Sequence, residues 1–439
     1  MAASVRIAIP ARPWEDVATA ATKALLRPVQ LLIAAPSLLF IAALTAMLLR
    51  PPDVQFFEID RLAFALLIVG VGARALTMRQ PWWVFERATW PMLGLTLLAL
   101  ISLVTQPFDG EAWSVLGAKF IVPFVLFHLA MHVFTDERSL RKFEIFAIVV
   151  LAYLSLMAIS FFAGANFLIF PRFILDESLG FHADRARGPF LQAVANGVSL
   201  NLLGILALHA YRRRTARGAA MLLLLASVPI AILATMTRAV WLSFAGTLVA
   251  LLFLSGSRRL WKMCMAGGAV LALLLAIAFS STDLGSTLAA RFQERGPIDY
   301  REAVYTGGWE MFLERPWLGW GFHRMPDELP RHVSGYREKT LYPHNTYLEL
   351  MVELGAPGLA LYLWLMWEMF RLGRGAISPR EKNGLLDHSF HRLWPILLAV
   401  YWLNATVVVM SYQFVNGLLF TLAGMLAAQR RRAEAALPC

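Results

Sequence analysis

Apolar residues in this chain gather into repeated stretches of roughly 17–25, each long enough to cross a hydrocarbon layer about 30 Å thick. They fall near 29–49, 60–77, 90–106, 115–134, 142–164, 191–210, 218–235, 239–256, 263–281, 346–370, 393–411 and 412–429, about twelve in all. Lipid offers no partner for a backbone N–H or C=O, so each stretch is expected to close its hydrogen bonds internally as a helix. Composition agrees: 58% of the 439 residues are hydrophobic and 16% charged, against about 25% charged in soluble domains. The expected fold is therefore an all-α integral membrane protein with about 12 transmembrane helices. Its parts are a cytoplasmic leader over 1–28, helices one to nine over 29–281, a large loop over 282–345, helices ten to twelve over 346–429, and a basic tail over 430–439.

The net charge of +11 lies in short clusters between apolar stretches, the pattern of cytoplasmic loops. These are Arg138–Lys142, Arg212–Arg214 with Arg217, Arg258–Lys262, Arg371–Arg392 and Arg430–Arg432. Alternating from a cytoplasmic amino terminus puts all of them inside, with both termini in the cytoplasm. No basic face interleaved with aromatics lies outside the apolar stretches, which excludes nucleic acid as the partner and leaves membrane lipids. Cys264 and Cys439 have no disulfide or metal-site spacing. In the leader, Trp14, Val17, Ala21 and Leu25 share one helical face, as in a segment lying along the cytoplasmic surface; a poorly ordered leader is the other reading.

Two outer segments, 165–190 and 282–345, break the short-loop pattern, and loops of such length usually carry function. In the longer one, Tyr300, Val304, Met311 and Phe312 sit at roughly helical spacing over Asp299–Glu314, and Pro316 ends that helix. Trp317-Leu318-Gly319-Trp320-Gly321-Phe322 then reads as a tight aromatic turn, its rings either buried on one another or free to stack on carbohydrate. No internal repeat or matched pair of broken helices points to an alternating-access transporter.

The densest polar grouping precedes the tenth stretch. Thr346 followed by Glu349 is a capping-box pattern that starts a helix at Thr346 and leaves His344 and Asn345 just before it, at the outer boundary. A helix amino terminus favours anions and disfavours imidazolium, so His344 is expected to be neutral and able to accept a proton. A histidine that simply caps or packs is the alternative. Arg238, in the short turn Thr235-Met236-Thr237-Arg238, and Arg185 and Arg187, in Ala183–Phe190, also fall at the outer boundary, against the positive-inside bias. Planar guanidinium suits bidentate binding of diphosphate, although ion pairs with Glu349 or Glu353 serve equally well. Arg301 is a further candidate. Glu353 needs a partner two turns into the span, and Gly355, Pro357 and Gly358 imply close packing and a bend. His128 and His132, four apart without a third ligand, read as a core or interfacial pair. No metal-ligand set, Walker loop or dinucleotide fingerprint is present.

His344-Asn345, nine residues, then Gly355-Ala356-Pro357-Gly358 resembles the His-Asn-(nine)-Gly-x-x-Gly signature of the O-antigen ligase and polymerase superfamily. Arg187-Gly188-Pro189-Phe190 with Asn196, Thr235-Met236-Thr237-Arg238 and Arg315-Pro316-Trp317-Leu318-Gly319-Trp320-Gly321 are similar to three further blocks of that family, in order. The family's usual Pro-Asn before the sixth helix is Ala195-Asn196 here, and Leu359 follows Gly358 where many ligases carry a small polar residue. The resemblance implies a C-type membrane glycosyltransferase of the bacterial inner membrane, with a large, partly helical periplasmic loop and a periplasmic active site. It implies a glycan donor on undecaprenyl diphosphate and no metal, nucleotide sugar or other cofactor. Arg187 and Arg238, with Arg185 and Arg301, would bind the diphosphate; His344 would take the acceptor proton in an inverting displacement; Asn345, Glu353 and Asn196 would support. The acceptor is lipid A-core in a ligase, a second lipid-linked repeat in a polymerase, or a protein hydroxyl in an O-oligosaccharyltransferase. A lipid-linked glycan flippase and a structural envelope subunit are the readings outside enzymology.

Overall fold

A computed structural model describes residues 35–50, 59–78, 84–180, 182–254, 258–280, 296–335, 341–375 and 385–435. The leader over 1–28, the loop start over 282–295 and Cys439 lie outside the described residues. Helices follow one another as α1 (Pro36–Leu48), α2 (Ile59–Thr77), α3 (Thr89–Val104), α4 (Gly110–Val133), α5 (Glu137–Phe162), α6 (Ala193–Arg213), α7 (Ala219–Ala234), α8 (Arg238–Leu254) and α9 (Arg258–Ser280). The loop helix α10 (Gly296–Glu314) leads to α11 (Thr346–Leu372), α12 (His388–Ala405) and α13 (Gln413–Ala435). Among the described residues there is no strand. Each expected apolar stretch overlaps one of these helices, several of which start before the apolar run or end after it. By length and composition α4, α5, α6 and α11 suffice to cross a membrane. Shorter apolar helices are Pro36–Leu48, Thr89–Val104, Ala219–Ala234 and Arg238–Phe253.

Caps explain where several boundaries fall. Asp136 accepts from the Ser139 N–H at 3.0 Å and starts α5 at Glu137, earlier than the apolar run begins. Asp387 accepts from the Phe390 N–H at 2.8 Å and starts α12 in the same way. The expected span 393–411 is corrected at its far end, because α12 stops at Ala405. The following Thr406-Val407-Val408-Val409 run is apolar but β-branched, which disfavours helix, and it forms an irregular link into α13.

Helix α13 packs closely on α4, where Gly424 faces the Phe127 carbonyl and the Ala130 methyl, and Gly417 faces Leu126 and Leu44. A Cβ at Gly424 would collide with backbone, so glycine is required for that approach. Helix α3 lies along α11, α8 along α12, and the loop helix α10 against α11. Phe40, Phe127, Phe134, Phe143 and Phe414 fill the bundle core. A second small core beneath the loop gathers Val304, Met311, Met325, Leu329, Leu341, Leu348 and Val352.

Helix α11 is broken at Gly355 (φ 69°, ψ −171°), a conformation open essentially to glycine alone. The break leaves two carbonyls without helical donors. Pro357 has no N–H for the Glu353 carbonyl, and the Ala356 N–H turns instead to the Pro316 carbonyl at 2.7 Å. The loop turn replaces both donors: Trp320 N–H meets the Val352 carbonyl at 2.9 Å, and Gly321 N–H meets that of Glu353 at 3.0 Å. The bend expected from Gly355 and Pro357 is present, but the neighbour that needs the small residue is this turn and not another helix. A Cβ at Gly355 would run into the Trp317 carbonyl, and one at Gly319 (φ 68°) into that of Glu353. Phe322 is buried and the Trp320 indole N–H bonds to the Met311 carbonyl at 2.7 Å, whereas Trp317 and Leu318 are exposed.

Gly355→Ala is expected to lower unfolding stability by about 1–3 kcal/mol or more, measured as a drop in thermal midpoint in detergent. Gly246→Ala, at a helical position of α8 with open space around it, should leave the midpoint equal or slightly raised.

Candidate functional site

Helix α11 does begin at Thr346, but its cap is Asn345, one residue before the expected capping box. The Asn345 side-chain oxygen accepts from the Tyr347 and Leu348 N–H groups at 3.0 and 3.2 Å. Thr346 is buried and its hydroxyl is engaged elsewhere, donating to the Val408 carbonyl and accepting from the Met410 N–H, both at 2.9 Å. Glu349 is turned away to an ion pair with Lys119 of α4. The start of α11 is thus held by the link after α12, and two of the N–H groups available to an anion are already occupied by Asn345.

His344 takes a left-handed backbone conformation (φ 46°) between Pro343 and the cap, an uncommon state for a residue with a side chain. Its ring lies against Tyr300 of α10 with centroids 5.9 Å apart. The Tyr305 hydroxyl donates to the Thr406 carbonyl at 3.0 Å and lies 3.5 Å from the His344 carbonyl. Burial, then the positive charges of Arg301 and His182, lower the His344 imidazole from the usual 6.5 to about 4. The ring is therefore neutral around pH 7, the state expected from the helix start, but burial, Arg301 and His182 bring it about. Burial also raises the Tyr305 hydroxyl, against the pull of Arg301 and a hydrogen bond with Asn345, so it stays a proton donor.

Of the four arginines read from the sequence, Arg301 is the one the structure brings into the electrostatic neighbourhood of His344. Arg187 is fully buried, and its guanidinium is taken up by backbone carbonyls. Nε and Nη2 donate to Ile174 at 3.2 and 3.1 Å, Nη1 to Leu179, and Nη2 also to Asp176. It is the internal brace of the 165–190 segment. Asn196 supports the same turn by donating to the Ala186 carbonyl at 2.8 Å. The Ala186 N–H in turn bonds to the Ala234 carbonyl at 3.1 Å, so the Arg185–Arg187 block is stitched to the turn that carries Arg238. Arg238 is the first residue of α8 and is partly exposed; Arg185 is partly buried, 3.8 Å from Asp184. Glu353 is fully buried on α11, behind the loop turn.

His182, Tyr300 and Tyr305 join His344 without having been read as site residues. Tyr305 falls four residues after Arg301, so both face one side of α10, a signal present in the sequence. His182 carries no comparable signal: a single loop residue at φ 55° reaches the site through the fold alone. His128 is a core histidine, as expected, bonded to Thr89 at 2.9 Å and the Phe124 carbonyl at 2.7 Å. Among the described residues no group of three His, Cys, Asp or Glu side chains is placed to hold a metal ion.

A neutral histidine at a helix start, two long loops folded over it and apolar helices beneath define a multi-pass membrane protein with a polar site at one end of the bundle. Residues 219–363, about a third of the chain, match the family model described as O-antigen ligase, in keeping with the resemblance read from the motifs. The matched stretch contains Arg238, the loop turn over 315–321 and His344 through Gly358. Comparison with curated proteins gives no match.

His344 should titrate near pH 4 by NMR of ring-labelled protein. Its folded value lies below that of the unfolded chain, which therefore binds the proton first. The associated stability is present above about 6.5 and is lost as the pH falls toward about 4. Arg301→Gln removes one of the depressing charges, so the titration midpoint should move up while remaining below 6.5.

Proposed function

We propose that the protein transfers a glycan from undecaprenyl diphosphate to an acceptor hydroxyl at the periplasmic face, with lipid A-core or another surface glycan as acceptor. The observation that carries this reading is His344 itself: neutral, fixed beside Arg301, and set at the junction of a membrane helix with two long loops. The acceptor O–H loses its proton to His344 as its oxygen attacks the anomeric carbon. The bond from that carbon to the diphosphate breaks with inversion, and undecaprenyl diphosphate leaves. Negative charge grows on the leaving diphosphate, so guanidinium contacts strengthen along the reaction. Arg301, Arg238 and Arg185 supply these contacts. Arg187 contributes by holding the loop that carries Arg185 and His182, since its guanidinium already makes four bonds to backbone carbonyls. No metal, nucleotide sugar or other cofactor enters the scheme.

A hollow of about 290 Å³ beside the site is lined by Tyr305, Trp309, Asn345, Tyr347, Leu348, Met351 and Leu359. It is polar at the Asn345 end and apolar along the first turns of α11, a gradient that suits a lipid-linked donor lying between water and hydrocarbon. The basic clusters between helices support a reading with twelve crossings and both termini in the cytoplasm, in which His344 faces the periplasm.

His344→Ala in the purified enzyme should cut transfer by about 10²–10⁴-fold while the protein still inserts and folds. Cells carrying it should accumulate undecaprenyl-linked glycan. Wild-type product formation by His344→Ala would remove the base from this scheme. Arg238→Ala should lower transfer; Arg187→Ala should lower transfer and stability together, because it leaves buried carbonyls unpaired. The second reading is a polymerase, favoured by the superfamily that the family match shares. Chain lengthening from donor lipid alone, with no added acceptor, would select it over the ligase.

A further inference from the structure

Lys119 is a charged side chain buried among apolar helices, in a π-helical turn (Gly117–Ile121) within α4. Both features are unfavourable in isolation: an ammonium in a hydrocarbon-level core needs a partner, and a π-turn strains the helix that contains it. The partner is Glu349 on the opening turn of α11, itself nearly buried. The Lys119 ammonium also lies 5.8 and 5.9 Å from the Phe120 and Phe322 ring centres, and the Phe322 N–H is held by the Ser102 hydroxyl of α3 at 2.8 Å. One turn further along α11, Glu353 is 1% exposed and lies among the backbone N–H groups of His323 and Met325 and the charges of Glu349 and Lys119. Lys119 thus stands where α4, α11 and the loop turn meet, with two carboxylates facing a single cation.

The pair reaches His344 in a short series of bonds. Glu349 donates its backbone N–H to the Asn345 carbonyl at 3.0 Å. Asn345 caps the helix and is covalently next to His344. A shift of Glu349 along or around the axis of α11 therefore moves the cap, and with it the left-handed residue that holds the imidazole. Buried ion pairs add little net stability compared with apolar residues of the same volume, and fixing a register is their best-attested use.

Resting on the reading that His344 is the base, we propose that Lys119 and Glu349 are positioning residues: their buried ion pair sets the rotation and height of the α11 start, and so the placement of His344 against the two loops. Misplacement of a reacting group by about 1 Å costs on the order of 10²-fold in rate, so the effect should appear in kcat more than in KM.

Full-length enzyme in nanodiscs, assayed with donor lipid and acceptor, tests this. Glu349→Asp keeps both charges but shortens the carboxylate's reach; it should hold the wild-type melting midpoint and lose about tenfold or more in kcat. Lys119→Arg, which keeps the cation, should retain most of the rate. Lys119→Met with Glu349→Gln removes both charges; its midpoint should stay near that of the wild type while kcat falls. The rate at which diethyl pyrocarbonate modifies His344, read by mass spectrometry, should change in Glu349→Asp and in the double variant, whatever the reaction. Wild-type kcat and wild-type His344 reactivity in either would show the pair to be packing only and overturn the proposal. Altered His344 reactivity with no glycan transfer by the wild-type protein would instead sink the transferase reading and leave the positioning role standing.

Discussion

The carbonyls of Val352 and Glu353 lie inside a membrane helix without the donors that an unbroken helix would supply. Gly355 turns the chain out of register and Pro357 has no N–H, so these two acceptors are met by Trp320 and Gly321 of the large loop. Leaving either unpaired in an apolar core costs about 1–3 kcal/mol. The loop turn is consequently seated on α11 as firmly as a helix turn is seated on the one before it. Much else follows from this docking. The turn ends α10 at a defined point, and α10 carries Arg301, Tyr300 and Tyr305 to His344. The Gly-x-x-Gly element and the Pro-Trp-Leu-Gly turn, far apart in the chain, are two halves of one joint.

Electrostatics at the site divides labour among arginines that look alike in the sequence. A guanidinium has five N–H donors, and Arg187 makes four hydrogen bonds with them, to the carbonyls of Ile174, Asp176 and Leu179. Arg301 projects from a helix whose neighbour is the imidazole itself, and its charge is felt there. The distinction is one of backbone surroundings: Arg187 is enclosed by a loop that turns its carbonyls inward, whereas Arg301 stands on a helix whose carbonyls are already bonded.

Most helices were legible because lipid forces helix wherever an apolar run is long enough. The start of α11 was legible too, yet its cap was displaced by one residue, since Asn345 and Thr346 are both good caps and only the link over 406–412 decides between them. That link was the clearest misreading. Val407, Val408 and Val409 are as apolar as any span, and hydropathy alone does not register that a β-branched run resists helix while Thr346 offers it hydrogen bonds. Lys119 drew no attention in the sequence, because a lysine near an apolar run usually marks its end; the π-turn that carries it inward has no local signature. His182 was beyond reach for a different reason, being brought in by a loop whose path is set by the buried Arg187.

Among the described residues, the loops over 165–190 and 296–345 join the bundle through backbone bonds chiefly at Ala186 on Ala234 and at the 316–321 turn on α11. The joints are made by main-chain atoms, with glycine where the approach is closest. Their geometry is therefore indifferent to most side chains that the loops display around His344. A chain built this way can diversify the surface it displays around the imidazole while the imidazole and its supporting helices stay the same. The bundle acts as a chassis, and recognition is an interchangeable fitting upon it.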